Sequence, residues 1–276
     1  MDIEVLGPLS VRENGRSITP TAPKPRQVLA LLALHADQTV SVPALIDELW
    51  ATKPPRSART TLQTYVLQVR ALISTALQQE DAASRHDEEA RNSSPRTAKD
   101  VLVTLPGGYL LNSGQGSSDV REFDRIAGRG YRAMDAGDFP TAARVLRQAL
   151  ALWTGPALAD VHSGTQLDLE KRRLEENRLC ALDQRIEADL ALGRHRELLA
   201  ELTVLTNRYR THENLHGQFM LALHRSGRRQ EALAAYQHLR NTLVRELGLE
   251  PSAPLQRLQR TVLAAPPAKP HQLAHA

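Results

Sequence analysis

From Lys53 to Arg70 the chain reads Lys-Pro-Pro-Arg-Ser-Ala-Arg-Thr-Thr-Leu-Gln-Thr-Tyr-Val-Leu-Gln-Val-Arg, and no other stretch restricts the fold as much. The two prolines close the preceding element, and Ser57 stands where a helix cap is wanted. Beyond it, Leu62, Val66, Val69 and Ile73 fall on one helical stripe, which must be buried. Thr60 and Thr64 face the other way, with Arg59, Gln63 and Arg70 on one flank and Thr61 and Gln68 on the other. No acidic residue occurs between Glu48 and Glu80. A basic outer face bearing hydroxyls and amides suits the DNA major groove. Arg and Gln pair with base edges there, Thr meets a thymine methyl, and Thr hydroxyls reach phosphates. An ordinary amphipathic helix with a solvated face has the same pattern, so the helix alone does not decide.

The flanking segments do. Pro23, Lys24, Pro25 and Arg26 open an apolar helix over Gln27–His35. A second, short helix starts at a Ser41 cap, runs to Trp50 and buries Leu45, Leu49 and Trp50. Val101–Leu105 and Tyr109–Leu111 alternate as strands around Pro106-Gly107-Gly108, a hairpin signal. Ile3, Val5, Leu6, Leu9 and Val11 supply a short amino-terminal sheet. A sheet, three helices and a hairpin make a winged helix, with the third helix reading DNA and the hairpin as its wing.

The second half reads as helix after helix. A Gly/Ser/Asn/Gln linker at 113–118 precedes it, and Phe123, Ile126, Ala127, Tyr131 and Met134 form its first stripe. Turns at Gly137-Asp138, Gly193-Arg194 and Gly227-Arg228 resemble one another, and the last two lie 34 residues apart, the tetratricopeptide period. The expected fold is therefore mostly α with a small β component. A winged helix-turn-helix domain at 1–112 precedes an all-α tetratricopeptide-like domain at 119–263 and a disordered, proline-bearing tail at 264–276. Within the first domain, residues 78–98 are charge-rich and aperiodic, as expected of a flexible insertion.

Charge is informative only locally. Residues 1–112 hold 12 Lys and Arg against 12 Asp and Glu, so the net charge of +4 resides in the other half. The wing, Thr104 to Asn112, has no basic residue and offers only the Gly107 and Gly108 amides and Tyr109. The one cysteine, Cys180, fits a reducing compartment and reads as a small buried residue. With no apolar run long enough for a membrane and no secretory start, a cytoplasmic, nucleoid-associated protein is expected. No phosphate-binding glycine loop, nucleophile elbow or paired CxxC is found, so no cofactor and no catalytic residue is assigned. One motif argues otherwise. His212-Glu213-Asn214-Leu215-His216 matches H-E-x-x-H, which on a helix binds zinc and would make a zinc-dependent enzyme. It lacks a convincing third ligand, and Phe219, Leu221 and Leu223 beyond it read as ordinary packing, so no metal is assigned.

The segments "LGPLSV", "KPRQVLALLALHADQTVSVPALIDELW", "SARTTLQTYVLQVRALI" and "TLPGGYLL" resemble the Streptomyces antibiotic regulatory protein (SARP) family, over roughly residues 3–77 and 100–263. That family joins an OmpR-type winged helix to a bacterial transcriptional activator domain. The resemblance implies an activator of a secondary-metabolite (antibiotic) gene cluster. It would bind direct promoter repeats as a homodimer and recruit RNA polymerase with its sigma factor, the loop Ala51–Pro55 lying where such activators touch polymerase. The helical domain would serve dimerisation and regulation. Arg59, Thr60, Thr61, Gln63, Thr64 and Gln68 are the base candidates. Lys24, Arg26, Lys53, Arg56, Tyr65 and Arg70 are the phosphate candidates, joined by Gly107, Gly108 and Tyr109 of the wing. A repressor, or a helical-repeat adaptor that binds protein, is the alternative.

Overall fold

The computed structural model describes residues 1–83 and 96–264. Residues 84–95 of the expected insertion and the tail after Ala264 lie outside the described residues. The chain opens with an antiparallel sheet of β1 (Asp2–Glu4), β2 (Ser10–Glu13) and β3 (Arg16–Ser17), in that order. Asn14 and Gly15 turn β2 into β3 with φ of 51° and 75°, the left-handed pair that such a tight hairpin requires. Val5, Leu6 and Leu9 are not strand residues, but all three are buried.

The helix α1 (Pro23–Leu34) starts on its prolines, and Val28 to Ala33 are all buried, so it is the centre of the first core. A three-residue strand, β4 (Thr39–Ser41), leads into α2 (Val42–Trp50), where Ser41 Oγ accepts from Ala44 N at 3.2 Å as the expected cap. The third helix, α3 (Ala58–Ala83), is longer than its apolar stripe, and residues 78–83 of the expected insertion continue it as helix. After the undescribed residues, Thr97 and Asp100 form a capping box on α4 (Ala98–Val101). The hairpin β5 (Leu102–Leu105) and β6 (Gly108–Leu111) then pairs back onto β4, giving the order β4-β6-β5. Ser41 sits opposite Gly108 in that register, and a Cβ on Gly108 would lie 2.6 Å from the Val40 carbonyl oxygen, so glycine alone fits. Sheet, three helices and hairpin form the winged helix-turn-helix region, and the chain beyond it is helical.

Among the described residues, seven further helices follow: α5 (Asp119–Asp135), α6 (Phe139–Leu150), α7 (Thr165–Ala191), α8 (His195–Arg208), α9 (Glu213–Arg225), α10 (Arg229–Leu247) and α11 (Ala253–Ala264). Two compact units emerge: Met1–Ala127 with Gln148–Leu179, and Gly128–Arg147 with the chain from Cys180. The core of the first unit thus takes in Leu158, Val161 and Leu167. Polar anchors join these later residues to the winged helix. Asp119 Oδ2 accepts from Val5 N and Leu6 N at 2.7 and 2.8 Å, and Asp160 Oδ1 accepts from Leu9 N at 2.8 Å. Glu48, on the last turn of α2, is buried and receives the amides of Gly164, Gln166 and Leu167 at 2.6, 2.9 and 3.0 Å. A carboxylate there caps α7 and faces the positive end of its dipole.

In the second unit the three look-alike turns share one geometry. Gly137, Gly193 and Gly227 have φ of 71°, 81° and 81°, and the next residue donates to the carbonyl five back: Asp138 to Ala133, Arg194 to Asp189, Arg228 to Leu223. This is the glycine C-cap that ends a helix and starts its antiparallel neighbour. Ala142, Ala143 and Ala188 allow close packing in one cluster, and Leu223, Ala232 and Val262 form another. A buried carboxylate, Asp189, accepts from Arg147, Arg185 and Arg194 at 3.0, 3.3 and 2.7 Å. Cys180, expected inside, is exposed: the buried positions beside it on α7 are Leu179 and Ala181. Among the described residues, no helix is long and apolar enough to cross a membrane.

Candidate nucleic-acid interface

The third helix presents the two faces its spacing predicts. Leu62, Val66, Val69 and Ile73 are at most 2% exposed and hold α3 in the first core. Arg59, Thr60, Gln63, Thr64 and Gln68 are exposed, while Thr61 is half-buried. Ser57 takes the cap position: its carbonyl accepts from Thr61 N at 2.9 Å, and its hydroxyl stands 3.5 Å from that of Thr61. Thr64 Oγ1 donates to the Thr60 carbonyl at 3.1 Å, which leaves its hydroxyl as an acceptor only. Leu67 was not among the base candidates, yet it is 61% exposed on this same face. The helical period puts it there, one turn beyond Thr64, so the signal was available in the sequence.

The loop Ala51–Pro55 is exposed throughout and starts from Ala51 at φ 50°. Lys53 and Arg56 are exposed on the chain entering α3, and with Arg59 they put three cations at the positive end of that helix. The half-buried Tyr65 stacks on Trp50, with ring centroids 6.5 Å apart and planes 23° apart. Trp50 thus belongs to the seam between α2 and α3.

Several phosphate candidates have partners inside the fold instead. Lys24 Nζ donates to the Leu49 carbonyl at 2.6 Å and to Gln27 Oε1 at 3.2 Å, closing the carboxyl end of α2. Arg26 donates to the Pro20 and Leu9 carbonyls at 3.1 and 3.4 Å and pairs with Asp160. Arg70 reaches across to the wing strand, donating to the Leu102 carbonyl at 3.1 and 2.6 Å and to Thr104 Oγ1 at 2.7 Å. Tyr109 is 7% exposed in the core, and Gly108 is buried in the strand pairing. Gly107 remains exposed at the hairpin tip, where φ of 80° demands glycine, and its carbonyl accepts from Val42 N at 2.8 Å. The exposed set is therefore the outer face of α3, its basic approach and the tip of the wing.

The H-E-x-x-H residues each do something else. His212 precedes α9 as its cap, its Nδ1 accepting from Leu215 N at 3.3 Å, so that ring nitrogen is already taken up in closing the start of the helix. Glu213 accepts from Ser252 N at 2.7 Å. His216 is 3% exposed, and burial lowers its pKa to about 4, with charge from His238 adding to the effect. Among the described residues no three His, Cys, Asp or Glu side chains gather as a metal site.

Comparison with known proteins bears on the family of the chain. Residues 118–263 match the model of the bacterial transcriptional activator domain, and residues 15–83 match that of the carboxy-terminal domain of transcriptional regulatory proteins. The chain is 54% identical to the regulatory protein DnrI of Streptomyces peucetius over 267 residues, 97% of this chain and 93% of that one. It is 36% identical to the regulatory protein AfsR of Streptomyces coelicolor, matching 96% of this chain but 24% of AfsR. A solved structure of Mycobacterium tuberculosis EmbR in complex with a low affinity phosphopeptide superposes with a TM-score of 0.81 at 32% identity, over 95% of this chain and 64% of that one. These relatives and both domain families are transcriptional regulators, not enzymes.

Proposed function

The chain belongs to the Streptomyces antibiotic regulatory protein family and is a transcriptional regulator, and from that premise we propose that it activates a secondary-metabolite gene cluster by binding direct promoter repeats as a homodimer. The observation that carries this reading is the division of α3. Four apolar residues lock one face into the core, and Arg59, Thr60, Gln63, Thr64 and Gln68 stand exposed on the other. Base readout falls to these five, with half-buried Thr61 at the edge of the face. Lys53, Arg56 and the Gly107 amide take phosphates. Lys24, Arg26, Tyr65, Arg70, Gly108 and Tyr109 shape the reader rather than touch DNA.

Two copies on adjacent repeats lie on one side of the duplex when the repeats are about one turn, ~10–10.5 bp, apart. The exposed loop Ala51–Pro55 of a bound copy then faces RNA polymerase and its sigma factor, and the helical second unit holds the pair together and takes regulatory input. Footprinting the full chain on promoters of neighbouring genes tests this. Protection of paired repeats, with transcription raised in a reconstituted assay, is the expected outcome. Protection with transcription lowered would favour a repressor, and no protection above that on unrelated DNA would favour a protein-binding adaptor.

A further inference from the structure

Leu67 is a large apolar side chain left 61% exposed in the middle of a polar reading face. A lone surface leucine needs no explanation by itself, and Leu169 is exposed to a similar degree. Position separates the two. Thr60, Thr64, Leu67 and Ala71 follow one another at intervals of four, three and four, so they form the ridge of α3 opposite Leu62, Val66, Val69 and Ile73. Thr64 donates its hydroxyl to the Thr60 carbonyl and Ala71 carries no polar group, so Leu67 is the large apolar side chain of this ridge. Gln63 and Gln68 border it on either side, both exposed.

We propose that Leu67 selects a thymine in the operator by resting on its C5-methyl group in the major groove. The inference rests on the DNA-binding reading given above. The thymine methyl is the one apolar substituent that projects from the base edges into the major groove. A leucine pressed against it removes apolar surface on both partners. The same leucine over cytosine N4, adenine N6 or guanine O6 strips water from a polar group without replacing its hydrogen bond, which is unfavourable. Leu67 thus favours thymine and rejects the alternatives, while the flanking glutamines remain available for bidentate pairing with adenine.

The test uses the full-length protein and a duplex carrying the site located by footprinting. Each thymine in turn is replaced by deoxyuridine, which removes only the methyl group. At one thymine the loss is expected to weaken wild-type binding by about fourfold, the value of one buried methyl. With Leu67→Ala that position should become indifferent to the swap, while the fold survives because the side chain is exposed and Ala favours helix. Leu67→Gln should shift the preference there toward adenine. Tight, site-specific binding that no thymine-to-uracil swap alters would overturn the assignment, as would a uracil effect that persists unchanged in Leu67→Ala. Absence of site-specific binding by the wild type is a different result: it removes the DNA-binding reading and this inference with it.

Discussion

Glu48 is the acid that ties the second helix of the reader to the start of α7, and its removal has a calculable cost. The side chain is 2% exposed, and its carboxylate takes four hydrogen bonds, from Gln27 Nε2 at 2.7 Å and from the amides of Gly164, Gln166 and Leu167. In Glu48→Ala the Leu167 amide, buried among these contacts, loses its acceptor at ~1–3 kcal/mol. The Gly164 and Gln166 amides are only partly buried and can recruit water, so the lost cap adds roughly 0.5–2 kcal/mol more. The sum, about 1.5–5 kcal/mol, is a large part of the ~5–15 kcal/mol that stabilises a typical domain. Glu48→Gln keeps the shape but turns one acceptor into a donor facing donors, and about half the loss is expected. Urea unfolding followed by circular dichroism at neutral pH measures both, as a fall in midpoint at constant slope. If both variants unfold within ~0.5 kcal/mol of wild type, as ordinary surface changes do, Glu48 is not an anchor.

Other consequences are equally open to measurement. Asp189→Ala leaves Arg185, 7% exposed at its side chain, without one of its two acidic partners, and about 3–5 kcal/mol of stability should be lost in thermal or urea unfolding; a loss under ~1 kcal/mol would show that the arginines find water instead. His216 titrates at about 4 in the folded chain against 6.5 when free, so the unfolded chain binds the extra proton between those values. Its contribution is complete above pH 6.5 and is lost as pH falls toward 4, by at most about 3 kcal/mol in all; His216→Phe should flatten that part of the stability profile, and an unchanged profile would show that burial does not hold the imidazole neutral. Arg56→Ala should lower the salt slope of DNA binding by about one ion. Arg70→Ala should leave that slope intact while lowering stability, because its partners are Leu102 and Thr104; the reverse pattern would restore Arg70 as a phosphate ligand.

The features legible in the sequence were those written at short range. The stripe of Leu62, Val66, Val69 and Ile73 repeats at the helical period, Ser41 precedes its helix as a cap, and Pro106-Gly107-Gly108 marks the wing's turn. The strand β4 was hidden because three residues carry no period, and its pairing with β6 spans about seventy residues of chain. Nothing local marks Glu48 as a buried acid, since its partners are 116–119 residues away. Lys24, Arg26 and Arg70 show why a basic residue alone does not announce its target: a carbonyl of the chain's own fold and a phosphate ask the same of it. Leu67 is legible on the helical wheel as an outward residue, but a single apolar side chain among Arg, Thr and Gln makes no period of its own. The family models cover 15–83 and 118–263, so the wing between them rests on the hairpin geometry.

DNA reading by the outer face of α3 is tested most directly by a hydroxyl-radical footprint on promoter DNA, comparing the full-length wild type with the Thr60→Ala, Gln63→Ala, Thr64→Ala triple variant. All three side chains are exposed, so the variant should fold as the wild type does. The wild type is expected to protect a specific pair of repeats, whereas the variant should lose most of its preference for them, at ~1–3 kcal/mol per misread base pair, and keep salt-sensitive binding to any duplex. Wild-type protection by a correctly folded triple variant would contradict the assignment of the outer face of α3 as the reader of DNA.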